Sequence, residues 1–527
     1  MSDLPPIEFL LPDSFSIETI AGPGKLVPMG ERRIHVALLD TFDRRLLDAG
    51  VWLAIEKDED GHHRCVAQSR EGARETRPWT GSAPKFSGDL RELGSHESLA
   101  RILGVRALLP QIEISGTLAE WVVETNDGGA RLTVWSETLA VKQGRRRRPL
   151  PGRLRLIPMK GCRKEFRALV DSLRTESGLE IAGSTLYRDA VNALGPEWPM
   201  TVIPQAVIDD PDVRSDRAVK QVLRQLLAAM QVNEPGLLAE IDTEFLHDYR
   251  VAVRRTRAVL GQMGGALPPV MLGRFRRGFA DLAQATSAVR DFDVFLLSLE
   301  GLDQQLPVAM RGQLQPVAAE VMLWSQRAHE ALNARLQSTA HRRFMDAWTA
   351  FLERPPPRRP TASKARMPVR ELACARTWKL YRRLLREGRA ITSESPSEDL
   401  HTLRKTAKKL RYQMELFQSL YPADEIQPLL RRLKKLQTHL GEYQDISVQA
   451  GHLRDLAAVL RDKEVPMDTL LAMGALLGHL HHQEAELRDR FSAWFGEFAG
   501  HKYRRRFRQL FRPDSLLDAE DKLAPKR

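Results

Sequence analysis

Cysteine is scarce in this 527-residue chain: Cys65, Cys162 and Cys374 lie far apart and in no paired spacing. That excludes a disulfide framework and a CxxC zinc site, and it points to a reducing compartment. Long apolar runs are missing too; none approaches the roughly 18–20 residues of a membrane span. Met1 to Leu11 lacks a basic segment followed by a long apolar stretch, so no signal peptide is expected and the reading is cytoplasmic. Aromatic residues make up only 6%, which leaves few rings to stack on nucleic-acid bases. The sequence has no Gly-rich phosphate loop, nucleophile elbow or Ser/His/Asp signature. Hydrophobic residues nevertheless reach 43%, ordinary for a globular protein, and the length predicts two to four domains at about 100–200 residues each.

Positive charge is abundant and unevenly placed. The net charge is +12, from 80 Lys+Arg against 68 Asp+Glu. Residues 1–210 hold 28 basic and 30 acidic groups, whereas residues 211–527 hold 52 and 38. A polyanionic partner is therefore to be sought in the C-terminal part.

The first part alternates short strand-like runs with turns. Arg33–Leu39, Val51–Ile55, Cys65–Ala67 and Leu132–Trp135 read as strands, separated by turn signals such as Asp60-Gly61 and Asn126–Gly129. A helix is predicted from Arg163 to about Thr175, with Phe166, Leu169, Val170 and Leu173 on one face. The stretch Pro199–Pro211 reads as a linker. Beyond it, Val219, Val222, Leu223, Leu226, Leu227 and Met230 open a long region of helical spacing. Arg354 to Pro360, with four prolines, divides that region into halves. The predicted fold is α+β: an N-terminal antiparallel β-rich domain, then an all-α duplicated bundle.

The halves match one another. His247 and His401 are 154 residues apart, and each heads the same pattern: Arg250, Arg254, Arg255 and Arg257 in one, Arg404, Lys408, Lys409 and Arg411 in the other. Farther on, Arg290-Asp291 aligns with Gln444-Asp445 at the same offset. On a helix, positions i, i+3, i+7 and i+10 share a face. Like charges one turn apart oppose helix formation by roughly 0.2–0.5 kcal/mol per pair, so such a stripe persists more easily opposite an anion. Lys405 lies beside the second stripe. Arg274, Arg276 and Arg277, then Arg431, Arg432, Lys434 and Lys435, recur on a later helix of each half, and Lys502 to Arg508 forms a third set. Packed about a pseudo-twofold axis, the two stripes would line one groove suited to a repetitive polyanion.

From about 213 to 515 the sequence resembles the CHAD family, the conserved-histidine α-helical domains, on these duplicated His-x-x-Arg segments and on Arg290–Val294 and Gln444–Val448. The resemblance implies a two-lobed helical fold, with repeats at about 213–353 and 363–515. It also implies a basic groove for inorganic polyphosphate and residence on polyphosphate granules. The residues expected to bind are His247, Arg250, Arg254, Arg255, Arg257, His401, Arg404, Lys405, Lys408, Lys409, Arg411, Arg431 and Lys434.

Leu39 to Leu53 is similar to the CYTH family of triphosphate-tunnel domains, which implies a barrel over residues 1–205. That family's chemistry needs alternating carboxylates holding Mg²⁺ or Mn²⁺. Here Ile7–Leu11 offers only Glu8, the strand after Trp52 carries Ala54, Ile55 and Glu56, and Arg153–Ile157 has inverted charge. The domain is expected to lack triphosphatase activity, and neither catalytic residue nor cofactor is assigned. Metal binding at His479, His481, His482 and Glu486 is set aside in favour of a His-rich helix surface. Asp291 and Asp445 are expected to orient groove arginines, and Arg145–Arg148 to form an exposed loop. The leading function is polyphosphate binding, with a metal-dependent triphosphatase or nucleic-acid binding as alternatives; no membrane partner is expected.

Overall fold

The computed structural model describes residues 6–12, 15–20, 24–69, 74–124, 130–143, 146–159, 161–195, 208–461 and 465–512, with Leu4 and Lys463. The turn at Asn126–Gly129, Arg145, residues 199–207 of the linker and residues 513–515 lie outside them. The chain forms two compact units, residues 1–202 and 203–527.

The first unit is a single antiparallel sheet. Its strands are β1 (Ile7–Leu11), β2 (Lys25–Thr41), β3 (Val51–Asp58), β4 (His63–Ser69), β5 (Arg74–Trp79), β6 (Leu108–Glu124), β7 (Ala130–Gln143), β8 (Arg146–Pro149) and β9 (Gly152–Pro158). They are ordered β1-β9-β7-β6-β2-β3-β4-β5, with β8 on β7. The four strands read from the sequence fall within β2, β3, β4 and β7. The sheet is curled and open, a half-barrel rather than a closed barrel, as the CYTH-like resemblance implied apart from closure.

Alternation along the strands sorts the side chains onto two faces. Ile34, Val36, Leu38, Trp52, Ala54 and Val66 pack against Leu186, Tyr187, Ala190 and Leu194 of α4 (Leu186–Leu194). The other face is covered in two places. Leu39, Leu53, Ile55 and Cys65 lie under α2 (His96–Leu103), while Phe9, Leu132, Val134 and Leu154 lie under α3 (Arg163–Thr175). In α3, Phe166, Leu169 and Leu173 are buried, as their spacing predicts. Asp40 closes the turn into α1 (Arg45–Asp48): its carboxylate accepts from the Leu46 and Leu47 amides at 2.9 and 3.0 Å and from the Tyr187 hydroxyl at 3.0 Å.

The face that carries α4 also holds a lattice of charge. Arg153 meets Glu8 at 2.7 Å and Asp189 at 2.5 Å. Arg155 meets Glu8 at 2.9 Å and Glu137 at 3.2 Å, and Arg74 meets Glu56 at 2.8 Å. The inverted charge of β9 thus engages the lone carboxylate of β1. Burial pushes the Glu137 carboxyl up, and Arg155 offsets only part of this. Burial also acts on Glu8, but Arg155 and Arg153 outweigh it and hold that carboxyl below its usual value.

The second unit is helical: α5 (Ser215–Leu238), α6 (Thr243–Gln262), α7 (Pro269–Gln304), α8 (Gln315–Gln337) and α9 (Thr339–Glu353), then α10 (Val369–Ala390), α11 (Ser397–Leu416), α12 (Ala423–Leu460), α13 (Met467–Phe498) and α14 (His501–Phe511). The starts of α5 and α10, α6 and α11, and α7 and α12 each differ by 154, the offset of the sequence repeat. The predicted apolar spacing of α5 is its buried face, from Val219 to Met230. Residues 354–360 are not helical, as the prolines require. Lys220 donates to the Arg354 carbonyl at 2.6 Å and Arg214 to that of Pro357 at 3.1 Å, fixing the crossing between repeats.

Each repeat has an aromatic core, Phe275, Phe279 and Trp348 in the first, Tyr381, Phe498 and Phe507 in the second. A third core belongs to both repeats. It joins Phe295 and Leu299 of α7, Val317 and Val321 of α8, Leu453 and Leu456 of α12, and Leu476 and Leu480 of α13.

Candidate anion-binding cleft

Helices α6 and α11 pack against one another, bringing the two basic stripes together. Between them lies an open cleft of about 660 Å³, lined by Arg254, Arg257, Ala258, Gly261 and Gln262 of α6, Arg276 and Ala280 of α7, and Lys405, Lys408, Lys409 and Tyr412 of α11. Five of the thirteen predicted residues are on its walls. Arg276 and Tyr412, also on its walls, are not among those thirteen.

The remaining eight have other places. Arg250 donates to the Thr286 carbonyl on α7, and Arg404 pairs with Asp445 on α12 at 3.5 Å. Both brace a stripe helix to the next helix of its repeat. Asp445 thus pairs with an arginine that is not on the cleft wall, and Asp291 lies near enough to Arg250, likewise off the wall, to favour its charge. His401 Nδ1 bonds the Gln444 side-chain oxygen. Burial holds the His247 imidazole below its ordinary range, and Arg290 and Arg254 add to this against Glu244 and Asp248. Arg431 and Lys434 are exposed on α12 and are not among the lining residues.

The two stripes are not used alike, and one position explains why. Glu415 is four residues after Arg411 and forms an ion pair with it at 3.2 Å, and it also pairs with Arg255 across the repeat boundary at 3.3 Å. The equivalent of Glu415 in the first repeat, 154 residues earlier, is Gly261, so Arg257 has no such partner at i+4 and lines the cleft instead. On α11 the lining face turns to Lys405, Lys408, Lys409 and Tyr412, an i, i+3, i+4, i+7 set. The buried Tyr412 ring is covered by guanidinium groups, Arg254 at 5.3 Å and Arg411 at 5.5 Å from its centroid. Arg276 donates to the Leu260 carbonyl at 2.7 Å, holding the end of α6.

Lys408 is the most perturbed of these cations. Burial, then Arg404 and Arg254 beside it, lowers its ammonium to about 8 against the opposing pull of Asp445. Removing Glu415 should release two arginines toward the cleft. The Glu415→Gln variant is expected to bind a long polyanion more tightly, with a log K versus log salt slope steeper by roughly 0.7–1.4. A slope unchanged from the parent protein would show that Arg255 and Arg411 stay out of reach.

The second unit is thus a duplicated all-α fold with a cationic cleft where its halves meet. Within it, residues 221–454 match the family model of the CHAD domain. Among solved structures, the CHAD domain from the plant Ricinus communis is 24% identical, covering 55% of this chain and 94% of that one, with a TM-score of 0.47. PptA from Streptomyces chartreusis is 18% identical over 54% of this chain and 99% of its own, with a TM-score of 0.44. A Hippeastrum protein described as having a dominant triphosphatase activity is 14% identical, covering 35% of this chain and 93% of that one, with a TM-score of 0.24. No curated protein matches the chain. No helix among the described residues is long and apolar enough to cross a membrane.

Proposed function

We propose that the helical unit, through repeats at 213–353 and 363–515, binds inorganic polyphosphate. The observation that carries this reading is the convergence of Arg254 and Arg257 with Lys405, Lys408 and Lys409 on one open cleft, joined by Arg276. Crowded like charges are unfavourable in the empty protein, and a ligand that carries dense, evenly repeated negative charge relieves them. Lysine and arginine on a cleft wall meet phosphate oxygens without reading any sequence.

Nucleic acid fits less well. Tyr412 is the one aromatic residue of the lining, and it is 3% exposed beneath two guanidinium groups, leaving no ring face on which a base could stack. In the N-terminal unit, Arg74, Arg153 and Arg155 are engaged by the sheet's own carboxylates, which favours binding by the helical unit over hydrolysis in the sheet. The protein would act in the cytoplasm, on polyphosphate granules.

The test is a titration of the full chain with long-chain polyphosphate across a range of salt. If the six cations of the cleft are neutralised, log K should fall with log salt with a slope of about −4, taking about −0.7 per charge. Affinity indifferent to salt, or equal displacement by single-stranded RNA at matched charge, would overturn the reading.

A further inference from the structure

Lysine side chains react with acyl donors only through the neutral amine, so an ordinary surface lysine near neutral pH is almost inert. The cleft departs from that situation at one residue. Lys408 is half-buried on its wall, between Arg404 and Arg411 on its own helix and Arg254 on α6, with Asp445 of α12 the acidic group facing it. Lys405 and Lys409, on the same helix and in the same lining, are exposed. The cleft therefore holds an amine beside Arg254 and in the same lining as Arg257, two guanidinium groups that can receive a phosphate.

We propose that Lys408 is a modification site, acylated by an acyl phosphate whose phosphate docks against Arg254 and Arg257. The Lys408 amine attacks the acyl carbon and a C–N bond forms. The C–O bond to phosphorus breaks, inorganic phosphate leaves with the electron pair, and the amine gives up a proton to solvent. The product is a neutral amide, so the cleft loses one cation. This inference rests on the reading of the cleft as an anion site. It adds a way to turn that site down, weakening a polyphosphate chain about fourfold at physiological salt for the one charge lost.

The depressed ammonium supports the site's reactivity. At pH 7.5 a lysine that titrates at about 8 is roughly one quarter neutral, against about one part in a thousand for an ordinary lysine. Weaker intrinsic nucleophilicity takes back part of that gain.

The experiment incubates the full chain with acetyl phosphate at pH 7.5 and follows acetylation of Lys405, Lys408 and Lys409 by peptide mass spectrometry. Lys408 should react about tenfold faster than either neighbour. The Arg257→Ala variant should lower the Lys408 rate with acetyl phosphate about fivefold relative to the rate with p-nitrophenyl acetate, a neutral ester that needs no phosphate docking. Taking the ratio removes any change in amine basicity, which moves both rates alike. Reaction at Lys408 no faster than at its neighbours, or a ratio unmoved by Arg257→Ala, overturns the proposal. Selective acetylation that polyphosphate does not protect against would sustain this site and sink the polyphosphate reading. Protection without selectivity would do the reverse.

Discussion

Replacing Arg254, Arg257, Lys405 and Lys408 together by alanine should weaken polyphosphate binding about 200-fold near 0.15 M salt. The estimate follows from counterion release: four neutralised charges at about −0.7 each change the slope by about 2.8. The salt dependence should flatten by that amount in the same experiment. Folding should not suffer. The four side chains are exposed or half-buried on the cleft wall, and removing crowded like charge favours the native state. The variant should therefore melt at or above the parent temperature, which separates lost ligand contacts from lost structure. A loss of less than tenfold would place the polyanion elsewhere on the protein.

The largest effect on stability is expected in the other unit, at Arg155. This side chain is 3% exposed and stands between Glu8 and Glu137. Arg155→Met preserves much of its volume but leaves two carboxylates facing a buried site without their main partner. Breaking a buried pair in this way costs about 3–5 kcal/mol. Urea unfolding followed by tryptophan fluorescence would measure it, since Trp52 and Trp135 both lie on that face of the sheet.

The pH response gives a second reading. Burial already raises the Glu137 carboxyl, and the loss of Arg155 raises it further. A carboxylic acid whose native pKa exceeds its unfolded value binds more protons folded than unfolded, so stability falls as pH rises through that window. The variant should recover stability as the pH is lowered from 7 toward 5. Recovery absent at low pH, or a loss below about 1 kcal/mol, would show that Arg155 is not the group that compensates these carboxylates.

Much of the helical unit could be read from the sequence because duplication is visible without any knowledge of packing. An offset of 154 between two histidines became the same offset between the first residues of three helix pairs. The strands were less legible. The 17 residues of β6 contain Pro110 and Gly116, residue types that weaken a strand pattern. In the sheet Gly116 is required, because a Cβ there would lie 2.0 Å from the Thr138 carbonyl oxygen on β7. The cleft was half legible: spacing gives a face, but not which members of the face are engaged by neighbours. Arg255 was counted with the others, yet its partner Glu415 is 160 residues away in sequence. Arg276 stood in a recognised basic cluster, but the packing that turns it toward α6 had no local signal. The Arg411–Glu415 pair, by contrast, was readable at i, i+4, and it marks where the duplicated halves diverged.

The core shared by α7, α8, α12 and α13 has a mechanical meaning. Residue 299 of α7 is about 35 Å along the helix from residue 276, at 1.5 Å per residue. The two repeats are therefore fastened twice, once where α6 meets α11 and again far along their longest helices. A frame pinned at two distant points behaves as a truss and not as a jaw. The helices that carry its cations are held in place before any ligand arrives, so capture should proceed at a rate set by electrostatic steering and not by the closing of a lid.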